Sequence, residues 1–245
     1  MSETVQRTLW DHLDELRQRL IICLAAVAVG IIISFLFAEQ VFRILLVPAG
    51  KANLVFIDVT EMLGTYMQVS LICGVVLAMP VLVYHLIIFV SPGLTAKEKK
   101  YVWMLLPWVF IMFLAGVAFS YFILIPPAIA FLLGFGADIA LPQIRISNYI
   151  SLIGRLLLAS GLIFEIPVIS TFLARLGIIS SGWMARQRKW AVIFAFILGA
   201  LITPTIDPVN QILVALPFIV LYEMSVWLAK LVERRSKEKQ VISPS

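Results

Sequence analysis

Residues 12–38 read HLDELRQRLIICLAAVAVGIIISFLFA. A charged stretch, Asp14 to Arg19, runs without a break into an apolar run that begins at Leu20. A helix needs about 20 predominantly apolar residues to cross the hydrocarbon core of a bilayer, and this run has that length. The stretch therefore predicts a helix that begins at a membrane surface and crosses the membrane.

The composition of the whole chain supports a membrane protein. Of the 245 residues, 62% are hydrophobic and 13% are charged. A soluble domain of this size could not bury that many apolar side chains in its core. The net charge of +5 comes from Lys and Arg in short connections between apolar runs, where such residues set orientation and do not indicate nucleic-acid binding. Cys23 and Cys73 lie within predicted spans and are expected to be packing residues.

The sequence predicts an all-α polytopic membrane protein with six transmembrane helices. The predicted spans lie near residues 20–38, 66–90, 102–125, 150–174, 190–203 and 209–228. The last two are expected to be short, since the fifth has about 14 apolar residues, or roughly 21 Å of helix. The six spans form one predicted domain over residues 1–235, and the polar residues 236–245 are expected to be a disordered tail.

Basic residues and helix-end signals set the topology. With six spans, 15 of the 19 Lys and Arg residues fall on the side that holds both termini. Because cytoplasmic connections carry an excess of Lys and Arg, both termini are predicted to be cytoplasmic. Asp207, a favoured capping residue, precedes Pro208 and predicts the start of span six. Pro126 and Pro127 predict the end of span three.

The sequence holds little from which a catalytic or metal site could be built. It has two histidines, and it lacks the His-x-x-x-His, Gly-x-Ser-x-Gly and glycine-rich phosphate-loop patterns. A single deep carboxylate, Glu165, gives no acidic dyad for an intramembrane protease. We therefore expect no enzyme activity, no metal and no cofactor.

Two acidic residues are candidates for binding a cationic ligand. Glu15 lies among basic residues before span one, and Glu98 lies in the lysine-rich segment Ser91 to Lys100 after span two. A carboxylate pairs two-pronged with a guanidinium, so both could bind an arginine-rich peptide. The alternative is that Glu15 pairs with Arg19 one helical turn on, which stabilises a helix by about 0.2 to 0.5 kcal/mol, and that Glu98 is a solvated charge.

A third acidic residue, Glu165, lies well inside span four, where carboxylates are costly and usually functional. Arg155 cannot pair with it, because ten residues of helix separate the two by about 15 Å. Pro167 predicts a kink beside the acid. A structural polar contact and a working role in translocation or proton coupling stand as alternatives. The second would fit a proton- or ion-coupled secondary transporter.

Five segments resemble the TatC subunit of the twin-arginine (Sec-independent) protein translocase. They are HLDELRQRL at 12–20, FVSPGLTAKEKK at 89–100, FSYFILIPPAIAF at 119–131, FEIPV at 164–168 and TPTIDPVNQ at 203–211. They follow the order of the family over nearly the whole chain. The resemblance implies a multi-pass protein of the plasma (inner) membrane, with both termini cytoplasmic and no catalytic step. It also places Glu165 on the concave inner face of the TatC fold, with access to water.

The resemblance also implies a receptor for signal peptides that carry two consecutive arginines. Glu15 and Glu98 would receive the arginines. The residues implied to shape the site are Leu16, Arg17, Phe89, Pro92 and Leu94. A departure from the pattern is Ile206, which makes the outer turn longer than in many relatives.

The resemblance further implies partners in the membrane. Thr203 and Gln211 would form part of a polar patch that binds single-span partners of the TatA and TatB type. The complex, expected to hold more than one copy of the chain, would export folded proteins with the proton-motive force. The alternatives are that this patch serves packing within the chain, or that the chain is only a scaffold for other membrane subunits.

Overall fold

The computed structural model describes residues 9–50, 54–90, 96–135, 137, 143–203 and 207–242. Within its helices, the side chains at positions 9–12, 87, 88, 90, 96–102 and 235–242 are outside that description. Of the residues predicted to bind a ligand, Pro92 and Leu94 lie outside the described chain, and Glu98 is described by its backbone alone.

The described chain is a bundle of α-helices with a few short additional elements. The helices are α1 (Leu9–Leu36), α2 (Ala38–Leu46), α3 (Glu61–Val90), α4 (Ala96–Phe119), α5 (Ile125–Gly134), α6 (Ile146–Phe164), α7 (Ile166–Arg175), α8 (Ser181–Arg186), α9 (Arg188–Ile202) and α10 (Pro208–Ile242). A 3₁₀ turn follows α2 at Val47–Ala49, and a π-helical turn joins α4 to α5 at Ser120–Leu124. Two strands, β1 (Leu54–Val55) and β2 (Ile144–Arg145), pair in parallel. Apart from that pairing, the fold is helical as predicted.

Five described stretches are long and apolar enough to cross a membrane. They are Leu13–Leu36, Glu61–Leu86, Trp103–Gly134, Ile146–Arg175 and Pro208–Arg234. Helix α9, at the place of the fifth predicted span, has only 15 residues. The prediction of a polytopic helical membrane protein is therefore confirmed at the level of five candidate spans, with a short helix between the last two.

The last helix is longer than the sequence predicted. The prediction of a short sixth span is wrong, because the membrane-length part of α10 has 27 residues, Pro208–Arg234. The helix also continues through residues 236–242, where a disordered tail was expected. That segment is rich in Lys, Glu and Gln, which have high helix propensity and can extend a helix that packing has already nucleated.

The end of the third span also differs from the prediction. Pro126 and Pro127 lie in the first turn of α5 and do not end the span, which continues to Gly134. Proline is tolerated in a first helical turn because the backbone N–H groups there need no partner within the helix. The π-helical turn Ser120–Leu124 changes the hydrogen-bond spacing just before the two prolines, so that a new helical segment begins there.

Helix α6 lies at the centre of the bundle. Tyr149, Ile150, Ile153 and Leu156 on α6 are almost fully buried in the main apolar core. The Tyr149 hydroxyl donates a hydrogen bond of 2.8 Å to the Leu45 carbonyl, which ties α6 to α2. Buried Tyr hydroxyls usually need such a partner. The core therefore fixes α6 and, with it, the position of Glu165 at its end.

Close backbone contacts join the outer helices to this centre. A Cβ atom added to Gly30 of α1 would lie 2.6 Å from the carbonyl oxygen of Gly74 in α3. A Cβ added to Gly116 of α4 would lie 2.5 Å from the carbonyl oxygen of Ser160 in α6. Small residues of this kind let membrane helices approach closely. These glycines therefore set the spacing of the first four spans.

Candidate functional site

Glu15 lies near the start of α1 and is half-buried. Arg19, four residues on, donates a hydrogen bond of 3.1 Å from Nε to Glu15 Oε1 and forms a second, ion-paired contact with the same oxygen through Nη2. The local pairing that the sequence offered as an alternative is therefore present. It holds the carboxylate in one orientation at the foot of a candidate membrane span.

The neighbours of Glu15 on α1 are open to the surroundings. Leu16 and Arg17 are both exposed. Phe89, near the end of α3, is half-buried. Glu98 occupies the first turn of α4, as the third residue of that helix.

The packing of α1 on α3 places Glu15 and Phe89 at one end of the bundle. Gly30 and Gly74 touch. Glu15 precedes Gly30 by 15 residues, and Phe89 follows Gly74 by 15 residues. With a rise of about 1.5 Å per residue, both lie about 22 Å from the contact in an antiparallel pair. The start of α4, which follows α3 after residues 91–95, therefore belongs to the same end.

Glu165 lies at the break between α6 and α7, where Pro167 sits in the first turn of α7. The helix is therefore interrupted beside the proline, where the sequence predicted a kink. The residue is 4% exposed, and neither carboxyl oxygen has a hydrogen-bond partner among the described residues. The backbone of Phe113 in α4 approaches it without the geometry of a hydrogen bond. The acid is buried against α4, and the access to water that the resemblance implied for Glu165 stays a prediction.

The residues on either side of Glu165 line an open apolar groove. Phe164 and Pro167 contribute to a groove of about 620 Å³ between α4, α7 and α10. Trp108 and Met224, which also line it, are about half exposed. Apolar surface of this extent in a membrane protein contacts lipid or an apolar segment of another chain. The groove places such a segment close to the buried acid.

Of the two polar residues that the sequence singled out near the α9–α10 hairpin, Gln211 joins the two helices and Thr203 bonds within α9. Gln211 Nε2 donates a hydrogen bond of 2.8 Å to the Phe196 carbonyl on α9. Thr203 is buried, and its hydroxyl donates a bond of 2.8 Å to the Gly199 carbonyl. Both contacts agree with the alternative of packing within the chain. Residues 204–206, including Ile206, lie outside the described chain.

Asp207 caps α10 as predicted. Its Oδ1 accepts a hydrogen bond of 2.7 Å from the backbone N–H of Asn210, while Pro208 opens the helix. This is the N-terminal geometry that Asp favours, because the first backbone N–H groups of a helix have no partner within it.

A cluster that the sequence reasoning missed joins the start of α3 to the start of α6. Glu61, at the start of α3, accepts hydrogen bonds from the Ser147 hydroxyl at 2.5 Å, the Ile57 N–H at 2.9 Å and Arg145 Nη2 at 3.2 Å. Arg145 also binds Asp58 at 2.9 Å. The hydrogen bond to Glu61 raises the pKa of Arg145 above its ordinary value. We call Asp58, Glu61, Arg145 and Ser147 the α3–α6 clasp.

A second missed set of contacts lies at the opposite end of the last two helices. Glu223 binds Arg188 at 2.7 Å, although the sequence attached no role to it. Glu233 accepts hydrogen bonds from the N–H and the hydroxyl of Ser181, at 2.6 and 2.7 Å. The only advance signal for either was a charged residue near a predicted helix end. Among the described residues, no group of three or more His, Cys, Asp or Glu side chains could hold a metal ion.

Comparisons with known proteins give a consistent result. The family model for the Sec-independent protein translocase protein (TatC) matches residues 11–217. The TatC protein of Carboxydothermus hydrogenoformans is 40% identical over 228 residues, which covers 92% of this chain and 94% of the relative. That of Aquifex aeolicus is 38% identical over 238 residues, with 95% and 98% covered. A crystal structure of a twin arginine translocase receptor, TatC, matches with a TM-score of 0.82 at 38% identity, covering 90% of this chain and 99% of that one.

Proposed function

The chain belongs to the TatC family of Sec-independent protein translocase proteins, and on this basis we propose that it is the receptor for twin-arginine signal peptides. Membership of the family makes it a protein-transport component of a twin-arginine translocase. The observation that carries the finer proposal is Glu15, a half-buried carboxylate presented at the foot of a candidate span.

The pair with Arg19 does not prevent Glu15 from binding a ligand. A glutamate and an arginine four residues apart on a helix stabilise it by about 0.2 to 0.5 kcal/mol. Hydrogen bonds to charged groups contribute about 1.5 to 3 kcal/mol when both partners are well placed. A guanidinium that binds the carboxylate two-pronged can therefore displace Arg19, because the helix loses less free energy than the new contact supplies. Meanwhile the Arg19 contact keeps the Glu15 carboxylate ordered in the free protein.

Glu98 is proposed to receive the second guanidinium. Its backbone lies in the first turn of α4, at the end of the bundle that holds Glu15 and Phe89. Leu16 and Arg17, exposed beside Glu15, would contact the residues that flank the two arginines. Pro92 and Leu94, in the connection between α3 and α4, complete the proposed site.

We further propose that all six spans cross the membrane with both termini cytoplasmic, in the plasma (inner) membrane. The support comes from the pairing of α9 with α10. Arg188 at the start of α9 binds Glu223, and Phe196 further along binds Gln211, so the two helices run antiparallel. With 15 residues, α9 is about 22 Å long, shorter than a hydrocarbon core of about 30 Å. A helix of that length can cross only where the bilayer is thin beside it.

Single-span partners of the TatA and TatB type are proposed to bind at the α9–α10 hairpin, in a complex with several copies of this chain that exports folded proteins. The support is the exposed apolar face of α9, on which Ile193, Ile197 and Leu201 are each about half exposed or more. The polar groups of Thr203 and Gln211 lie at the outer end of that face. A partner helix could pack on the apolar side chains and bond to Gln211 in place of the Phe196 carbonyl. Thr203, which is buried, would bind the partner only after its bond to Gly199 opens.

The test compares signal peptides bound to the purified full chain in lipid nanodiscs. A peptide with two arginines should crosslink to the protein, and one with two lysines should bind at least about tenfold more weakly. Glu15→Gln should remove most of that difference. The matched control is Glu39→Gln, because Glu39 forms the same i, i+4 pair with Arg43 on α2. It should bind both peptides as the unsubstituted protein does.

Two rival functions give different results in that experiment. A scaffold without receptor activity would bind both peptides equally in every variant. A proton- or ion-coupled transporter that uses Glu165 would show solute uptake without any partner, and Glu15→Gln would not affect it. If Glu15→Gln and Glu98→Gln both keep the preference for the arginine pair, the receptor proposal is wrong.

A further inference from the structure

Helix α6 carries a polar stripe on the one face that the core does not cover. Asn148 and Arg155 are exposed, and Ser151 between them is half-buried. The spacing of three and four residues puts these side chains on one side of the helix. Leu162, seven residues beyond Arg155, continues the same face and is 58% exposed. Gln68 of α3 borders the stripe through a hydrogen bond of 2.9 Å to the Ser151 hydroxyl.

Arg155 lies too deep for an unpartnered charge. It follows Ile146, the first residue of α6, by nine residues, which is about 13.5 Å of helix. Half of a hydrocarbon core of about 30 Å is close to that depth. Charged residues at such depth face a cavity, a neighbouring helix or another charge, and they usually mark a functional contact.

The described part of this chain supplies no counter-charge for Arg155. No hydrogen bond or ion pair joins it to another described residue. Glu165 is ten residues further along the same helix and is buried. The other described carboxylates are bonded elsewhere, apart from Asp14 at the foot of α1. A counter-charge must therefore come from outside these residues.

Two outside sources fit poorly. In a second copy of the chain, the described carboxylates well inside candidate spans are Glu165 and Glu223. Glu165 is 4% exposed and cannot reach a neighbour, and Glu223 is already paired with Arg188. A lipid phosphate lies at the membrane surface, about 15 Å from the middle of the bilayer, which is beyond the reach of an arginine side chain at that depth. What fits the guanidinium is a carboxylate held at the same depth on a different membrane helix.

We propose that Asn148, Ser151 and Arg155 form a docking surface for a membrane-spanning partner helix that carries a carboxylate near the middle of the bilayer. The carboxylate binds Arg155 two-pronged, and the amide and hydroxyl of Asn148 and Ser151 bind polar groups nearer the outer surface. This surface is separate from the α9–α10 hairpin. The inference depends on the proposed function in one respect, which is that single-span partners exist.

The test uses synthetic 21-residue Leu/Ala helices with Glu, Gln or Leu at the central position. They are reconstituted with the full chain in phosphatidylcholine vesicles, and binding is followed by energy transfer. The Glu helix should bind about tenfold more tightly than the Leu helix. Arg155→Leu should abolish that difference, and Arg155→Lys should keep part of it. Leu162→Ala, a control on the same face, should leave the difference unchanged.

Several results would overturn the inference. Equal binding of the Glu and Leu helices to the unsubstituted protein would overturn the inference. This comparison needs no variant, so it holds even if Arg155→Leu misfolds. A difference that survives Arg155→Leu would overturn the inference too. Loss of the difference when phosphatidylglycerol is added would assign Arg155 to a lipid phosphate. Signal-peptide binding in the same vesicles separates this inference from the receptor proposal, because Arg155→Leu should leave it unchanged.

Discussion

Glu61 and Glu165 are both buried glutamates at a helix end, yet their surroundings are opposite. Glu61 accepts hydrogen bonds from Ser147, Ile57 and Arg145. Glu165 has no hydrogen-bond partner for either carboxyl oxygen in the described structure. A buried polar group stabilises a fold when it is bonded and destabilises it when it is not. The contrast indicates that Glu61 joins the start of α3 to the start of α6, whereas no hydrogen bond offsets the cost of burying Glu165.

The largest expected effect comes from breaking the α3–α6 clasp. Glu61→Ala removes the acceptor for five donor groups on four residues and leaves Arg145 with Asp58 alone. Calorimetry of the purified protein in detergent should show a fall in unfolding temperature of about 5 to 10 °C. Glu39→Ala is the control, because the pair of Glu39 with Arg43 is exposed and should change the temperature little. Equal effects of the two substitutions would show that the α3–α6 clasp does not stabilise the fold.

The next effect tests what buries Glu165. In Gly116→Ala, the new Cβ would lie 2.5 Å from the Ser160 carbonyl oxygen and 2.9 Å from Phe164 Cβ. Helices α4 and α6 must separate, which should destabilise the protein by about 1 to 3 kcal/mol. A cysteine placed at Glu165 should then react faster with a water-soluble maleimide. Gly64→Ala is the control, since nothing lies within 4 Å of the added Cβ.

A smaller effect of opposite sign is expected at Glu165 itself. Glu165→Leu replaces an unbonded buried carboxyl with an apolar group and should stabilise the protein by about 1 to 2 kcal/mol. Denaturant unfolding in mixed micelles measures this change, and an export assay in cells should show reduced transport of folded cargo. If Glu165→Leu destabilises the protein as Glu61→Ala does, the two glutamates have the same structural role and the contrast is lost.

Local signals in the sequence were enough to predict several helix boundaries. Asp207 before Pro208 predicted the cap of α10, and Pro167 predicted the break after Glu165, because each acts on the backbone within one helical turn. Pro126 and Pro127 gave a wrong prediction of where span three ends. A proline pair suits the end of one helix and the first turn of the next equally well, and the π-helical turn before them is what starts a new helix here.

Contacts between distant residues were beyond the reach of pattern reasoning. The bond of Ser147 to Glu61 joins positions 86 apart, and that of Gln68 to Ser151 joins positions 83 apart. No periodicity within one helix encodes such pairs. The proposed binding site stood between these cases. The predicted topology already put Glu15 and the end of span two on one side of the membrane. The contact of Gly30 with Gly74 then placed residues 15 and 89 at one end of the bundle.

The most direct measurement is a double-mutant cycle between Glu15 and the arginine pair of a signal peptide. Binding free energies are measured for the unsubstituted protein and Glu15→Gln, each with the arginine peptide and with a peptide in which one arginine is replaced by glutamine. The receptor account predicts a coupling energy of about 1.5 to 3 kcal/mol for one of the two arginines. A coupling energy near zero for both arginines would contradict it.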